Sequence, residues 1–158
     1  MTDVLSILHD YLKAHPSLSD LKDWNKANGF ISLKDSGLSL GIENEQYEDE
    51  NRDYDKCTTK VNIFVWIKNK DQAIGEQKVR ELAHAVRLIL NQDDVRTLNG
   101  EAIGGFVKHI QYLTTEAQHS LLLHIAEITY EVEYEEYRLF TEEVSTVQTV
   151  NNESEIEE

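Results

Sequence analysis

The stretch from Lys60 to Lys68 constrains the fold more than any other part of the chain. Its residues alternate between two sets, with Val61, Ile63, Val65 and Ile67 on one side and Asn62, Phe64 and Trp66 on the other. A run that is apolar in both sets is typical of a strand covered on both faces of its sheet. A helical pattern begins three residues later, at Asp71, and continues to about Asn91. The sequence therefore predicts a central strand followed by a helix that packs back onto the sheet.

Two amphipathic patterns predict the main helices. The first begins after Thr2, its predicted N-cap, and stops before Pro16, because proline cannot continue a helix. The second has Asp71 as its predicted N-cap and carries the clearest apolar stripe in the chain, formed by Val79, Leu82, Ala83, Val86, Ile89 and Leu90. Each pattern predicts a helix with one buried face.

Residues 30–33 and 38–42 predict the first two strands, joined as a β-hairpin by turn-forming residues. Residues 43–56 follow, with seven acidic residues against Arg52 and Lys56. This segment fits either a mobile loop or the tip of a long hairpin that leads into the central strand. The second interpretation makes consecutive strands neighbours in the sheet.

A polar connector, residues 91–105, separates the second helix from two more predicted strands, residues 106–113 and 120–138. The class is therefore α+β, with a mainly antiparallel sheet of about four to five strands and two main helices packed on one face. Residues 1–138 are predicted to form a single domain. Residues 139–158 are acidic, contain no basic residue and show no core pattern, so they are predicted to be a disordered tail.

The net charge of −15 at pH 7 argues against a protein that binds nucleic acid by neutralising phosphates. Cys57 is the only cysteine, which excludes a disulfide framework and a thiolate metal cluster. Free cysteine tends to be buried, and Cys57 is interpreted as a half-buried thiol at a strand end in a protein made in a reducing cytoplasm. No apolar run approaches the ~20 residues that cross a bilayer, so no membrane association is predicted.

Three groups of residues have the chemistry of possible sites. Asp49, Asn51, Asp53 and Asp55 copy the first ligand positions of an EF-hand loop, but Tyr54 and Lys60 replace the required glycine and glutamate. The six histidines lack zinc-binding spacing, although His109 and His124 are expected to face each other across the last two strands as packing residues. Glu131, Glu133 and Glu135 share one exposed face of the last strand. No catalytic residue, metal site or cofactor is predicted.

Four features together resemble the tail terminator proteins of long-tailed bacteriophages, also described as tail completion or head–tail joining proteins. They are the helix that ends near Pro16, the hairpin that runs into residues 60–68, the helix over residues 77–90, and the acidic closing strand over residues 125–138 with Tyr-Glu-Val-Glu-Tyr-Glu-Glu-Tyr at its centre. The resemblance covers roughly residues 2–138.

The resemblance implies a structural virion protein without catalytic residues or cofactors. Such a protein forms a homo-oligomeric ring, usually a hexamer, that caps the tail tube, ends its growth and joins the tail to the head. Its implied partners are other copies of itself, the tail tube protein and the head–neck connector protein. DNA passes through the ring without specific binding, and the protein is in the host cytoplasm during assembly and in the virion afterwards.

A ring subunit contacts its two neighbours through two different surfaces. The predicted subunit-interface residues are Arg80, Arg87 and Leu88 on the second helix and Glu48, Asp49 and Asp53 on the acidic segment, while Glu131, Glu133 and Glu135 are predicted to face the channel. Two alternatives stay open. One is another neck or tail structural protein, and the other is an acidic inhibitor or immunity protein that mimics nucleic acid.

Overall fold

One five-stranded sheet organises the computed structural model, which describes residues 3–138. The chain passes through α1 (Val4–Ala14), a 3-10 turn (Pro16–Leu18), β1 (Trp24–Asn25), β2 (Ser36–Asp49), β3 (Tyr54–Asn69), α2 (Gln72–Leu90), α3 (Asp93–Arg96), β4 (Gly104–Glu116), a second 3-10 turn (Gln118–Ser120) and β5 (Leu122–Tyr137). The strand order is β1-β2-β3-β5-β4, and every pair is antiparallel except β1 with β2. Helices α1 and α2 pack on one face, which confirms the predicted α+β class.

Strand β3 is the central strand, as predicted. Its odd-numbered residues from Val61 to Ile67 are buried beneath the helices, and Trp66 is fully buried on the opposite face. Asp71 caps α2 by accepting a hydrogen bond from the backbone N–H of Ile74 at 2.9 Å. The apolar stripe of α2 is buried at five of its six predicted positions, and Leu82 is only partly buried.

The face of the sheet away from α1 and α2, called the outer face below, is covered at one end by residues 26–35. The Trp66 indole N–H donates to the carbonyl of Lys34 at 3.3 Å, and the hydroxyl of Ser39 donates to the carbonyl of Phe30. Residues 30–33 are therefore not a strand, and the predicted hairpin is wrong. Their carbonyls accept side-chain hydrogen bonds, whereas β2 pairs with the short strand β1 through Trp24 and Leu38.

Residues 43–56 belong to a long hairpin, which decides between the two interpretations of this acidic segment. The Asn51 side chain closes its turn by accepting from the backbone N–H groups of Asp53 at 2.8 Å and Tyr54 at 3.2 Å. A helix of 19 residues such as α2 spans about 28 Å, whereas the 16 residues of β3 span about 53 Å. The strands therefore extend beyond the helices.

This projection, made of residues 43–60 and residues 131–137, is called the arm below. Strand β5 pairs with β3 over its whole length, from Tyr137 opposite Tyr54 to Leu122 opposite Asn69. Every residue from Ile42 to Asp49 is exposed. The arm is thus a three-stranded extension of the sheet whose β2 strand is exposed, whereas Cys57, Thr59, Val132 and Tyr134 on its helix-side face are buried.

Two further predictions need correction. Asp3 is the N-cap of α1, accepting from the backbone N–H of Ser6 at 3.1 Å, and the predicted cap Thr2 lies outside the described residues. The connector after α2 is not wholly polar, because it contains α3 and buries Val95 and Leu98 completely.

Helix α1 ends at Ala14, before Pro16, as predicted. The predicted tail, residues 139–158, also lies outside the described residues. None of the helices within residues 3–138 has the length and apolarity that a membrane span requires.

Candidate assembly surfaces

The outer face of the arm carries alternating charges. The Lys56 amine lies 3.7 Å from the Glu133 carboxylate and 3.8 Å from that of Glu48. Two more cross-strand pairs join Lys60 to Glu43 at 3.7 Å and Lys108 to Glu131 at 3.6 Å. Exposed pairs of this kind contribute only about 0–1 kcal/mol each to stability. Their main effect is on the electrostatic potential, because lysines partly neutralise the row of carboxylates.

The prediction that Glu131, Glu133 and Glu135 form an acidic, channel-facing surface considered the residues of β5 alone. Lys56 and Lys60 have the same parity as Trp66 in β3, so they point to the outer face and lie opposite Glu135 and Glu131 in the register. The alternation of side chains along β3 could therefore have placed both lysines on this face from the sequence. Glu135 itself makes no ion pair within residues 3–138, and its charge is the main cause of a raised pKa at the nearby Tyr54 hydroxyl.

The opposite, helix-side face of the arm carries Glu45, Tyr47 and Asp49. The Tyr47 side chain is 56% exposed, and its hydroxyl lies 3.4 Å from a Glu45 carboxylate oxygen. Glu45 makes no ion pair with any described residue. Beside Tyr47, Cys57 is completely buried rather than half-buried, and burial, with the nearby Glu136 charge, raises the pKa of its thiol to about 11.

Arg138 closes the tip of the arm. Its guanidinium lies 2.5 Å from carboxylate oxygens of both Asp49 and Asp55, and its backbone N–H donates to the carbonyl of Asp53 at 2.8 Å. These hydrogen bonds raise the pKa of Arg138 above its usual value. Asp49 and Asp55 thus balance a cation of their own chain, whereas Asp53 lies beside Arg52 at 3.8 Å.

The acidic positions that resemble part of an EF-hand loop are engaged within the chain. Asp49 and Asp55 are register partners that both bind the Arg138 guanidinium, and the Asn51 side chain is engaged in the turn. Within residues 3–138, no group of three or more histidine, cysteine, aspartate or glutamate residues could hold a metal ion.

Helix α2 presents the other half of the predicted interface. Arg80 and Arg87 are both exposed and, being seven residues apart, share one stripe of the helix. Leu88 is 64% exposed and lies about 100° further around the helix, so the three residues do not form one patch. The fold therefore brings together Arg80 and Arg87 but not Leu88.

A groove of about 420 Å³ runs between α2 and β4, and Arg80 forms part of its wall. The groove is lined by Gln72, Glu76, Val79, Arg80, Tyr112, Leu113 and Thr114. Tyr112, on the helix side of the sheet, is 45% exposed, whereas Leu113, opposite Ile125 on the outer face, is 60% exposed. The Arg80 guanidinium donates to the Gln77 side chain at 3.3 Å and makes no ion pair with a described residue. The sequence analysis did not identify Tyr112 and Leu113 as surface residues, although both lie in the predicted strand over residues 106–113.

His109 and His124 do not face each other, contrary to the prediction. A β-bulge between Val107 and His109 places His109 opposite Thr129, on the outer face. His124 is buried on the helix side, where its Nδ1 lies 3.1 Å from the Thr114 hydroxyl. The extra residue at the bulge, Lys108, changes the side to which the following residue points.

Comparison with known proteins gives a likeness in fold. No protein-family model matches the chain, and no curated protein matches it in sequence. A chain of the solved structure "Virion of native gene transfer agent (GTA) particle" is similar, with a TM-score of 0.61 and 16% sequence identity. The alignment covers 84% of this chain and 94% of that chain. At this identity the likeness demonstrates a shared fold.

Proposed function

We propose that this protein is a structural component of a phage-like virion, and that it forms a ring that caps the tail tube, ends tube growth and joins the tail to the head. The observation that carries the proposal is the fold shared with a chain of a gene transfer agent virion, because the alignment extends over 94% of that chain. The tail-capping role rests on the sequence features that resemble tail terminators.

The distribution of surfaces suits a ring. A closed ring is built from heterologous contacts, so that each subunit presents one surface to the neighbour on one side and a different surface to the other neighbour. The projecting arm, with Glu48, Asp49 and Asp53, is one such surface. The exposed side of α2 is the other, with Arg80 and Arg87 on one stripe and Leu88 about 100° away from them. We expect a hexamer, as in the family that the sequence resembles.

The outer face of the arm is proposed to line the channel, with Glu131, Glu133 and Glu135 directed toward passing DNA. Carboxylates on this face outnumber the lysines that pair with them. A net negative wall repels the phosphate backbone and shortens its residence, and the lysines moderate this repulsion. DNA would then pass without being bound.

The proposed partners are further copies of this chain, the tail tube protein on one side of the ring and the head–neck connector protein on the other. Assembly takes place in the host cytoplasm, and the ring remains in the virion. Residues 1–138 are proposed to form the ring-building domain, with residues 139–158 as an appended tail.

Deletion of the gene from a phage or prophage that encodes this protein tests the proposed function directly. We expect tails of abnormal length, or tails of normal length that fail to join heads, when particles are examined by electron microscopy. Complementation with the intact gene is the control. Tails of normal length that join heads efficiently without the protein would contradict the tail-capping role.

A second candidate is a different structural protein of the neck or tail, which the same fold likeness favours to the same degree. Co-purification with tail tubes supports the tail terminator role, whereas binding to the head portal alone supports the alternative. The third interpretation, a mimic of nucleic acid, fits less well because Lys56, Lys60 and Lys108 interrupt the carboxylate array that such a mimic would present.

A further inference from the structure

Two exposed surfaces of this chain have complementary side chains but lie too far apart to meet within one molecule. On the arm, Glu45 and Tyr47 are adjacent, exposed and located on the helix-side face. In the groove between α2 and β4, Arg80 stands beside Tyr112, which points to the helix side of the sheet. One surface offers a carboxylate and an aromatic ring, and the other offers a guanidinium and an exposed aromatic ring.

The charges around the two surfaces agree with this match. Residues 43–56 contain seven acidic residues against two basic ones, and the carboxylate of Glu45 has no ion-pair partner within residues 3–138. Arg80 and Arg87 give one stripe of α2 the opposite sign, and neither forms an ion pair with a described residue. Complementary potentials of this kind guide association and determine which surfaces pair.

The sheet register separates the two surfaces. Tyr112 lies opposite Ala126 of β5, whereas Tyr47 is level with Tyr134 of β5 through its partner Cys57. At about 3.3 Å per residue, the eight-residue interval along β5 corresponds to about 26 Å. The arm of a subunit therefore cannot reach its own groove.

We propose that the arm of each subunit docks in the α2–β4 groove of the next copy, with Tyr47 packing against Tyr112 and Glu45 pairing with Arg80. This contact rests on the proposed ring and specifies how its subunits join. It is heterologous, so repetition around an axis closes a ring. A buried tyrosine next to an arginine is the composition typical of interface residues that dominate binding energy.

Exchange of the two charges tests the contact in the full chain. Glu45→Lys or Arg80→Glu alone places like charges together, and we expect each to raise the concentration needed for assembly more than about tenfold. The charge changes Asp10→Lys and Lys13→Glu, at exposed positions of α1, are the matched controls and should leave assembly unchanged. Mass in solution, measured by light scattering over a range of concentrations, is the readout, and thermal melting confirms that each variant is folded.

Mixing the two defective variants provides the decisive measurement. Each variant then offers the surface that the other can bind, so an equimolar mixture should regain a ring in which the two variants alternate. The double variant Glu45→Lys, Arg80→Glu should also assemble. If neither the mixture nor the double variant assembles, Glu45 and Arg80 do not meet.

A second comparison tests the aromatic part of the contact. We expect Tyr47→Ala to weaken assembly about 10- to 100-fold, whereas Tyr137→Ala, which alters an exposed tyrosine on the outer face of the same arm, should have less than a threefold effect. Equal losses of assembly for the two variants would show that the helix-side face of the arm is not the face that docks in the groove.

The outcomes separate this inference from the function proposed above. A wild-type protein that assembles while both single charge variants assemble equally well would overturn the arm-in-groove contact and leave the ring intact. A wild-type protein that remains monomeric at all concentrations, alone and with tail tubes, would overturn the ring and with it the contact.

Discussion

At the scale of single residues, Gly75 is a point of close approach between α2 and the sheet. The imidazole of His124 is completely buried beneath it. A Cβ atom built at Gly75 would lie 2.0 Å from Nε2 of His124, a distance that no relaxed contact permits. The Thr114 hydroxyl holds the other side of the ring, so the imidazole has little room to move away. Glycine is required here by a close approach of helix and strand.

We expect Gly75→Ala to lower the free energy of unfolding by about 1–3 kcal/mol. Alanine favours a helix by up to about 1 kcal/mol over glycine, but overpacking of a filled core costs more than this gain. Urea unfolding measures the change. Gly104→Ala is the control, since a Cβ at Gly104 meets no atom within 4 Å. Equal or higher stability of Gly75→Ala would mean that α2 can move away from the sheet without cost.

Cys57 gives a prediction about pH. Burial raises the pKa of its thiol from 9.0 to about 11, so the native state retains the proton between these values while the unfolded state loses it. The unfolded state then binds fewer protons, and stability falls as the pH rises through this window. In the native protein we expect a thiol-reactive reagent at pH 8 to modify Cys57 at least about 100-fold more slowly than in urea. Equal rates would show that the thiol is accessible.

At the scale of elements, residues 26–35 act as a cover for the outer face of β2 and β3. Trp66 is the centre of this contact, because its ring is buried beneath the segment and its indole N–H donates to the Lys34 carbonyl. Gly37 permits the ring to approach, since a Cβ there would lie 2.4 Å from the indole. The cover replaces the second helical layer that the central strand lacks on this face.

Trp66→Ala should therefore destabilise the fold by about 3–5 kcal/mol, the cost typical of removing a buried aromatic ring. Leu88→Ala is the matched control, because Leu88 is exposed and its truncation should change the free energy of unfolding by less than about 0.5 kcal/mol. Chemical unfolding of the isolated domain measures both values. A loss below 1 kcal/mol at Trp66 would show that residues 26–35 stabilise the outer face without depending on the indole.

The elements that were predicted correctly are those whose signals are local. The alternation in residues 61–67, the Asp71 cap and the proline at position 16 each act within a few residues, and β3, α2 and the end of α1 follow from them. Residues 30–33 show the limit of local signals. Their short apolar run resembles a strand. In the fold, however, the Phe30 carbonyl accepts from the distant hydroxyl of Ser39, and the neighbouring carbonyl of Lys34 accepts from the indole N–H of Trp66.

The candidate surfaces were less predictable for the same reason. The lysines that face Glu131 and Glu133 are defined by the pairing of β3 and β4 with β5, and Arg138 meets Asp49 only because β5 runs the full length of the arm. Such pairs depend on register. Register and the bulge at Lys108 are properties of the assembled sheet, and no short segment specifies them.

At the scale of the whole molecule, the proposed domain ends where the sheet ends. Residues after Arg138 include few apolar side chains and no basic residue. We expect truncation after Thr141 to change the melting temperature by less than about 2 °C, because ordering such a segment would cost conformational entropy without burying much apolar surface. A full-length chain and a truncated chain are compared by calorimetry. A fall of many degrees would show that the tail packs on the domain.

The position of β5 in the sheet also determines when this chain can fold during synthesis. Strand β5 follows all the other described strands in sequence, yet it lies between β3 and β4, and Arg138 contacts Asp55 across 83 positions. At about 5–20 residues per second, the ribosome needs roughly 4–17 seconds to make this interval. During that time β3 has one unpaired edge, which is a template for aggregation. The acidic hairpin beside it, by keeping nascent chains apart, would protect the protein before the sheet is complete.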